Sequence, residues 1–240
     1  CAGAGDNAAA AVGTGVVGEG GCNISLGTSG TVFISSAHFS AQPGNALHNF
    51  AHADGGYHLM GCMLSAASCN KWFLEEILHT GDYAAEQAAI AEERLGHNRV
   101  FFLPYLMGER SPINDTDARA LFIGMSMDTT RADMVLSVYE GVAFAIRDSV
   151  EAARALGIDI PRSMICGGGS RSALWTKIMA NVLGIPLDMP ETEQGPGYGG
   201  AMLAMVACGE YKSVAEAARR LVHVRSTVMP DAALSALYDA

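Results

Sequence analysis

The sequence predicts an α/β chain: a mixed sheet that opens with antiparallel hairpins and goes on as alternating helices and strands packed on its faces. Three observations predict it. Two short apolar runs, Ile24–Leu26 and Thr31–Ser35, flank the turn Gly27-Thr28-Ser29-Gly30, which is a hairpin signal. A stretch from about Thr130 to Leu156 keeps apolar residues at helical spacing. Residues 163–184 read as strand, glycine turn and helix, the layout of an α/β unit.

The elements follow in order. After Asp6, Ala8 to Val12 favour a helix, and an Asp or Asn suits its N-cap. Glycines punctuate Gly13 to Gly21 before the first hairpin. A second hairpin runs through ALHNFAH, the turn Asp54-Gly55-Gly56 and YHLMG. From Ser65 the period becomes helical, with Ala66, Trp72, Phe73, Ile77 and Leu78, and Tyr83–Leu95 continues in kind. VFFLPYL reads as a buried strand ending at Pro104, followed by the polar loop GERSPINDTDAR and a short strand, ALFIGM. After the long helix come SMIC as a strand, a helix through ALWTKIMANVLG, PLDMP as a strand, and helices over GPGYGGAMLAMVACG and SVAEAARRLV. No repeat or linker interrupts the chain, so 1–240 is expected to be one domain.

Composition narrows the function. The 240 residues are 50% hydrophobic, enough to bury roughly 70–75% of the unfolded surface without a staple. Fifteen basic and 25 acidic residues give −10 with the signs interspersed, which excludes a phosphate-neutralising stripe and hence nucleic acid. Nucleotides remain open, because backbone N–H groups and Mg²⁺ supply local positive field. Cys1, Cys22, Cys62, Cys69, Cys166 and Cys208 form no CxxC pair and are expected as reduced thiols packed as small hydrophobes in a cytoplasmic protein. His48, His52 and His58 lie close together, but no spacing completes a zinc set. No apolar run nears the ~20 residues of a membrane span, and the first residues lack a signal-peptide layout.

Four stretches can carry chemistry. LGTSG is either a tight hairpin or a concavity of backbone N–H groups that accepts a phosphate. GGGSRS follows a strand and opens a helix, so it either admits a ligand to the backbone or simply caps with Ser170 or Ser172. Asp6 is a helix cap or a base on a tight turn, the one group phosphoryl transfer asks for beyond positioning and Mg²⁺. GERSP is the fourth. Gly13, Gly15 and Gly18 spell the dinucleotide fingerprint, yet they follow a helix-favouring alanine run and precede a hairpin, so that reading is rejected.

The blocks GDNAAAAVGTG, SLGTSGTVF, FLPYLMGERSP, EGVAFAIRDSVEA, GGGSRSALWTKIMANVLGIPL and GPGYGGAMLA occur in an order and wording that resemble the C-terminal half of the FGGY carbohydrate kinases, xylulokinases most closely. The likeness runs from about residue 2 to the end. It implies a ribonuclease-H-like domain of the actin/hexokinase/Hsp70 type, closing over a cleft against an N-terminal sugar-binding domain. It implies ATP with Mg²⁺, and no metal-ligand set in this chain. Asp6 would be the general base and Asn7 its neighbour near the sugar. Gly27, Thr28 and Ser29 would hold the terminal phosphates, and Gly168, Gly169, Ser170 and Ala173 would line the adenosine pocket. Pro104 to Arg110 would flank the nucleotide side, with Glu109 and Arg110 alternatively a structural ion pair.

The expected activity is phosphorylation of D-xylulose to D-xylulose 5-phosphate. Ribulose, an erythritol-like or a glycerol-like polyol are alternatives, as is a nucleotide-binding module without turnover. A chaperone-like ATPase of the same superfamily fits the GDN turn and GGGSRSALW less well. The chain opens without Met and lacks the family's N-terminal DxGT turn, so it is expected to be the second half of a kinase, inactive alone and partnered by the N-terminal half. A homodimer is an allowed assembly. Tyr198 departs from the small residue usual there and is expected either to alter the pocket edge or to pack.

Overall fold

Strand alternation decides which side of the sheet becomes core. The structure, a computed structural model, describes residues 3–40 and 44–240; Cys1 and its expected reduced thiol lie outside the described residues. Helix α1 (Asp6–Gly13) leads into β1 (Cys22–Leu26) and β2 (Gly30–Ser36), antiparallel about the turn with Leu26 opposite Gly30. β3 (His48–Ala51) and β4 (Tyr57–Met63) form the second hairpin, and β4 pairs with β2. β7 (Ser163–Cys166) lies parallel to β1, β8 (Leu187–Pro190) parallel to β7, and β9 (Val224–Val228) antiparallel to β8. The seven strands run in the order β3-β4-β2-β1-β7-β8-β9.

Cys22, Ile24 and Leu26 of β1, with Val32 and Ile34 of β2, face the main core. That core is filled by α2 (Ala67–Trp72), α4 (Arg131–Arg154), α5 (Ala173–Leu183) and α8 (Ala232–Asp239). Phe33 points the other way, among Ala8, Ala11 and Val16. On that side α1 packs with α6 (Gly195–Ala207) and α7 (Val214–Leu221) through Val12, Met202, Leu203, Ala217 and Ala218. Helices therefore cover both faces of a mixed sheet. Gly13 ends α1, and Gly15 and Gly18 adopt positive φ in the turn that follows, so these glycines open no helix.

Several elements differ from expectation. A helix over Tyr83–Leu95 gives way to a short α3 (Tyr83–Ala88) and a 3-10 turn, Glu92–Arg94. Tertiary contacts override the local period: Arg94 Nε donates to Asp133 Oδ1 of α4 at 3.0 Å, and Leu95 is buried. VFFLPYL does not enter the main sheet. β5 (Phe101–Leu103) pairs with β6 (Leu121–Ile123) as a separate ribbon, with only Phe102 of β5 buried. Cys208 is exposed rather than packed, whereas Cys22, Cys62 and Cys69 are buried. β9 and α8 lie beyond the last element read from the sequence.

Two features position the rest. Where α1 crosses α6, Gly13 meets the Gly195 carbonyl and Gly199 meets the Ala9 carbonyl, so neither position has room for a Cβ. Gly200, one residue on, faces open space. Gly199→Ala is expected to cost ~2–3 kcal/mol, lowering Tm by roughly 5–10 °C, whereas Gly200→Ala stabilises α6 by up to ~1 kcal/mol; thermal melts of the pair check this.

The second is the Glu140 carboxylate inside the core. It accepts from the Tyr238 hydroxyl at 3.0 Å and from Asn98 Nδ2 at 3.2 Å, tying α8 to α4. Burial outweighs these bonds and pushes its carboxyl up to about 7. The folded state thus holds a proton that the unfolded state releases near 4.5, so stability falls as pH rises between those values, by on the order of 3 kcal/mol in full. Denaturant titrations from pH ~5 to ~8 should show this slope in the parent and lose most of it in Glu140→Gln.

Candidate functional site: a divided cavity at the strand ends

β1 and β7 run parallel, with Ser25 beside Cys166, so the turns that follow them leave the sheet at the same edge. These are the LGTSG and GGGSRS turns. Gly167 has φ +92, and a Cβ there would sit 2.7 Å from the Leu26 carbonyl and 3.0 Å from the Gly27 nitrogen. Glycine is what lets the two turns touch. A crevice at the carboxyl ends of parallel strands is where open α/β sheets bind ligands.

The LGTSG turn is held from behind. The Gly27 carbonyl accepts from Ala67 N, and the Thr28 carbonyl accepts from Ala66 N at 2.9 Å and Ser68 Oγ at 2.8 Å. In a trans peptide the N–H points opposite its carbonyl, so the amides of Thr28 and Ser29 are aimed away from α2. Thr28 and Ser29 there line a cavity of about 310 Å³.

That cavity has α1 as one wall. Asp6, Ala10 and Thr14 recur at helical spacing on it, beside Asn7. The Asp6 carboxylate is exposed, and its Oδ1 accepts from the adjacent Asn7 amide at 2.8 Å. The floor is the face of β1 and β2 turned away from the main core: Asn23, Ser25, Thr31 and Phe33. Gly167, Thr192 and Glu193 complete it.

Thr28 also lines a second cavity of about 640 Å³, shared with Gly168, Gly169, Ser172, Ala173, Asn70 and Gln87. Its polar wall is partly tied down: Ser172 Oγ donates to Gln87 Oε1 at 2.6 Å while capping α5 at Trp175 N, 3.1 Å. Among the described residues Asn70 Oδ1 is buried without a hydrogen-bond partner. Ser170 lies outside this wall, its hydroxyl donating to the Gly167 carbonyl at 2.8 Å, in a smaller cleft of about 170 Å³ with Arg171, Glu193 and Arg225.

Asp6, Asn7, Gly27, Thr28 and Ser29 thus share one cavity, with Gly168, Gly169 and Ala173 in the adjoining one. Pro104 to Arg110 line neither. Glu109 is buried, its Oε1 accepting from Leu64 N at 2.9 Å and Arg110 N at 2.7 Å, which pins the loop to the end of β4. The Arg110 side chain turns to Cys62 Sγ at 3.7 Å, so Glu109 and Arg110 make no side-chain ion pair among the described residues. Burial raises the Glu109 carboxyl above the ordinary range. His52 and His58 are likewise structural, with His58 stacked on Phe33 at 4.0 Å.

The sequence reading missed Asn23, Ser25 and Thr31. Their signal was available: polar residues two apart on strands whose alternating partners are apolar. Asn70 and Gln87 carried none, because a polar residue on a helix reads as solvent-facing until the tertiary fold is known.

A family model for the FGGY family of carbohydrate kinases, C-terminal domain, matches residues 22–208. The chain belongs to the FGGY carbohydrate kinases. It is 38% identical to the xylulose kinase of Escherichia coli K12 over 240 residues, covering 99% of this chain and 49% of that protein. To the xylulose kinase of Klebsiella pneumoniae it is 40% identical over 208 residues, 85% of this chain and 42% of that one. A crystal structure of a "xyloylose kinase" from Brucella ovis superimposes with TM-score 0.90 at 37% identity, covering 98% of this chain and 48% of that one. The chain spans about half the length of these relatives. With such neighbours the fold is that of the actin/hexokinase-like sugar kinases.

Within this FGGY domain the Tyr198 ring packs away from both cavities, on the α6–α7 cluster, and its hydroxyl donates to the Leu221 carbonyl at 2.8 Å. Tyr198→Phe should therefore cost ~1 kcal/mol in denaturant unfolding and leave nucleotide affinity, read by calorimetric titration, unchanged.

Proposed function

We propose that this chain supplies the general base and the nucleotide site of an ATP-dependent kinase that converts D-xylulose to D-xylulose 5-phosphate. The observation that carries the reading is the shared cavity of Asp6, the LGTSG turn and Gly167, continuous at Thr28 with the larger one. The xylulose kinases it resembles supply the choice of sugar.

In this reading the terminal phosphates sit on the Gly27-Thr28-Ser29 amides, and the base and ribose fill the cavity lined by Gly168, Gly169 and Ala173, with Ser170 at its outer edge. Oriented amides are worth most where water is excluded, because no solvent reorganises as charge moves onto the phosphoryl oxygens. The sugar hydroxyl approaches from the open side of the smaller cavity, its oxygen attacking the γ-phosphorus as the bond to the β-bridging oxygen breaks. Its proton passes to the Asp6 carboxylate, which lies next to Asn7 on the first turn of α1. Mg²⁺ would ride on the phosphates, where one or two carboxylates and water suffice; Asp6 and Glu193 are the carboxylates on that cavity. Among the described residues no three His, Cys, Asp or Glu side chains gather into a cation site of their own.

Closure by an N-terminal sugar-binding half would shield the attacking hydroxyl from water. The 240 residues by themselves then bind nucleotide without turning it over. Two measurements test the reading. ATP consumption with a panel of pentoses and polyols should need the N-terminal half in trans and should be fastest with D-xylulose; activity without that half, or preference for another sugar, rejects those parts. In the full-length parent, Asp6→Ala should lower kcat by ~10²–10⁴-fold with nucleotide Kd nearly unchanged, and undiminished turnover removes Asp6 as base.

A further inference from the structure

Charge is divided between the two adjoining cavities. Asp6 and Glu193 line the smaller one, and no Lys, Arg or His among the described residues joins them. The larger has the opposite bias: Lys71 and Arg171 line it, with no carboxylate among the described residues. The cavities meet at Thr28, on the turn that offers its amides to phosphate. In a chain of net charge −10, a ligand carrying several negative charges depends on local cations, and the larger cavity is where they stand.

The two cations are not equally free. Arg171 Nη2 donates to Glu193 Oε2 at 2.7 Å, a charge-assisted bond that draws the guanidinium to the turn before α6. Lys71 has a looser partner. Its Nζ lies 3.9 Å from Glu75 Oε2, one helical turn on, while Glu75 Oε1 already accepts from the Tyr83 hydroxyl at 2.7 Å. Among the described residues no other carboxylate is within ion-pair range of Lys71, and its side chain is 69% exposed. An exposed pair of this kind holds its members weakly, so the ammonium gives up little in turning to another anion.

Helix α2 aims that ammonium. Ala67, Ser68, Asn70 and Lys71 recur at the spacing of one helix face, and all four line the larger cavity. Ser68 Oγ donates to the Thr28 carbonyl at 2.8 Å, so this face begins at the phosphate turn and reaches Lys71 one turn later.

We propose that Lys71 binds the nucleotide's bridging phosphates, those between the ribose and the γ-phosphoryl group. This rests on the nucleotide reading above and adds a cation supplied by the chain itself. The amides of the LGTSG turn take the terminal phosphoryl group, and Lys71 neutralises the part of the polyphosphate that lies in the larger cavity. A flexible stem with a point charge suits that task, because it follows the phosphates without demanding a fixed fork geometry. When the bond to the β-bridging oxygen breaks, negative charge gathers on the leaving diphosphate, which the same ammonium then faces.

Calorimetric titrations of the 240-residue chain with ADP and with adenosine test the proposal. In about 0.05 M salt, Lys71→Met should raise the ADP dissociation constant on the order of tenfold, and by less in about 0.3 M salt. Adenosine, which lacks the phosphates, should bind parent and variant alike. Lys71→Arg keeps the charge and should keep most of the ADP affinity. Lys212→Met removes the same charge from an exposed residue that lines neither cavity, and should leave ADP binding unchanged. An ADP affinity indifferent to Lys71→Met overturns the proposal. So does an equal loss for adenosine, or an equal loss in Lys212→Met. A parent chain that binds neither ligand takes the nucleotide reading down with it, whereas a parent that binds both and is matched by Lys71→Met removes Lys71 alone.

Discussion

The site depends on a backbone contact, that of Gly167 against the Leu26–Gly27 peptide. Parallel pairing brings β1 and β7 to the same edge, but parallel strands alone would leave their turns separated by a side chain. With hydrogen in place of a Cβ, the two turns meet, and their far sides become the walls of adjoining cavities. Gly169 repeats the arrangement one step on, where a Cβ would come 2.6 Å from Leu26 Cγ. The apolar core beneath matters here chiefly because it fixes where the strands end.

Polarity is then partitioned by strand period. The same five residues of β1 send Cys22, Ile24 and Leu26 into a dry core and Asn23 and Ser25 toward the cavity. A slip of one residue would exchange the two sets, burying an amide and a hydroxyl without partners, so the register of the first hairpin is strongly enforced. The geometry of the candidate site is thereby protected by the stability of the fold, through residues that would never bind anything.

Much of this was legible in the sequence, for stated reasons. Hairpins and the long helix are local signals, and in the structure Thr130 and Asp133 close a capping box at the start of α4. Of the glycine turns, Gly167 has a φ of +92 that few residue types adopt, whereas Gly169 is glycine for want of room beside Leu26. What failed were the elements set by distant partners. Helix α3 stops early because Arg94 turns to Asp133 on α4, and β5 leaves the main sheet because its partner is β6 rather than a strand of the core. Glu109 was expected beside the nucleotide or paired with Arg110, and only the fold reveals that its carboxylate accepts from the Leu64 amide, 45 positions away, and from the adjacent Arg110 amide. The Asn70 oxygen, buried without a partner among the described residues, is likewise a fact of three dimensions, invisible to any window along the chain.

The glycine crossing of α1 and α6 has a consequence for how the molecule is made. Asp6 stands near the start of the described residues, yet the helix that bears it is seated against Gly195 and Gly199, some 190 positions later. Contacts of such sequence separation form late, because the intervening loop must first be closed. During vectorial synthesis on the ribosome the acidic turn therefore waits, unanchored, until most of the sheet has emerged and α6 has left the exit tunnel. Asp6 is translated some 190 residues before the glycines that seat its helix, and it is fixed only after them.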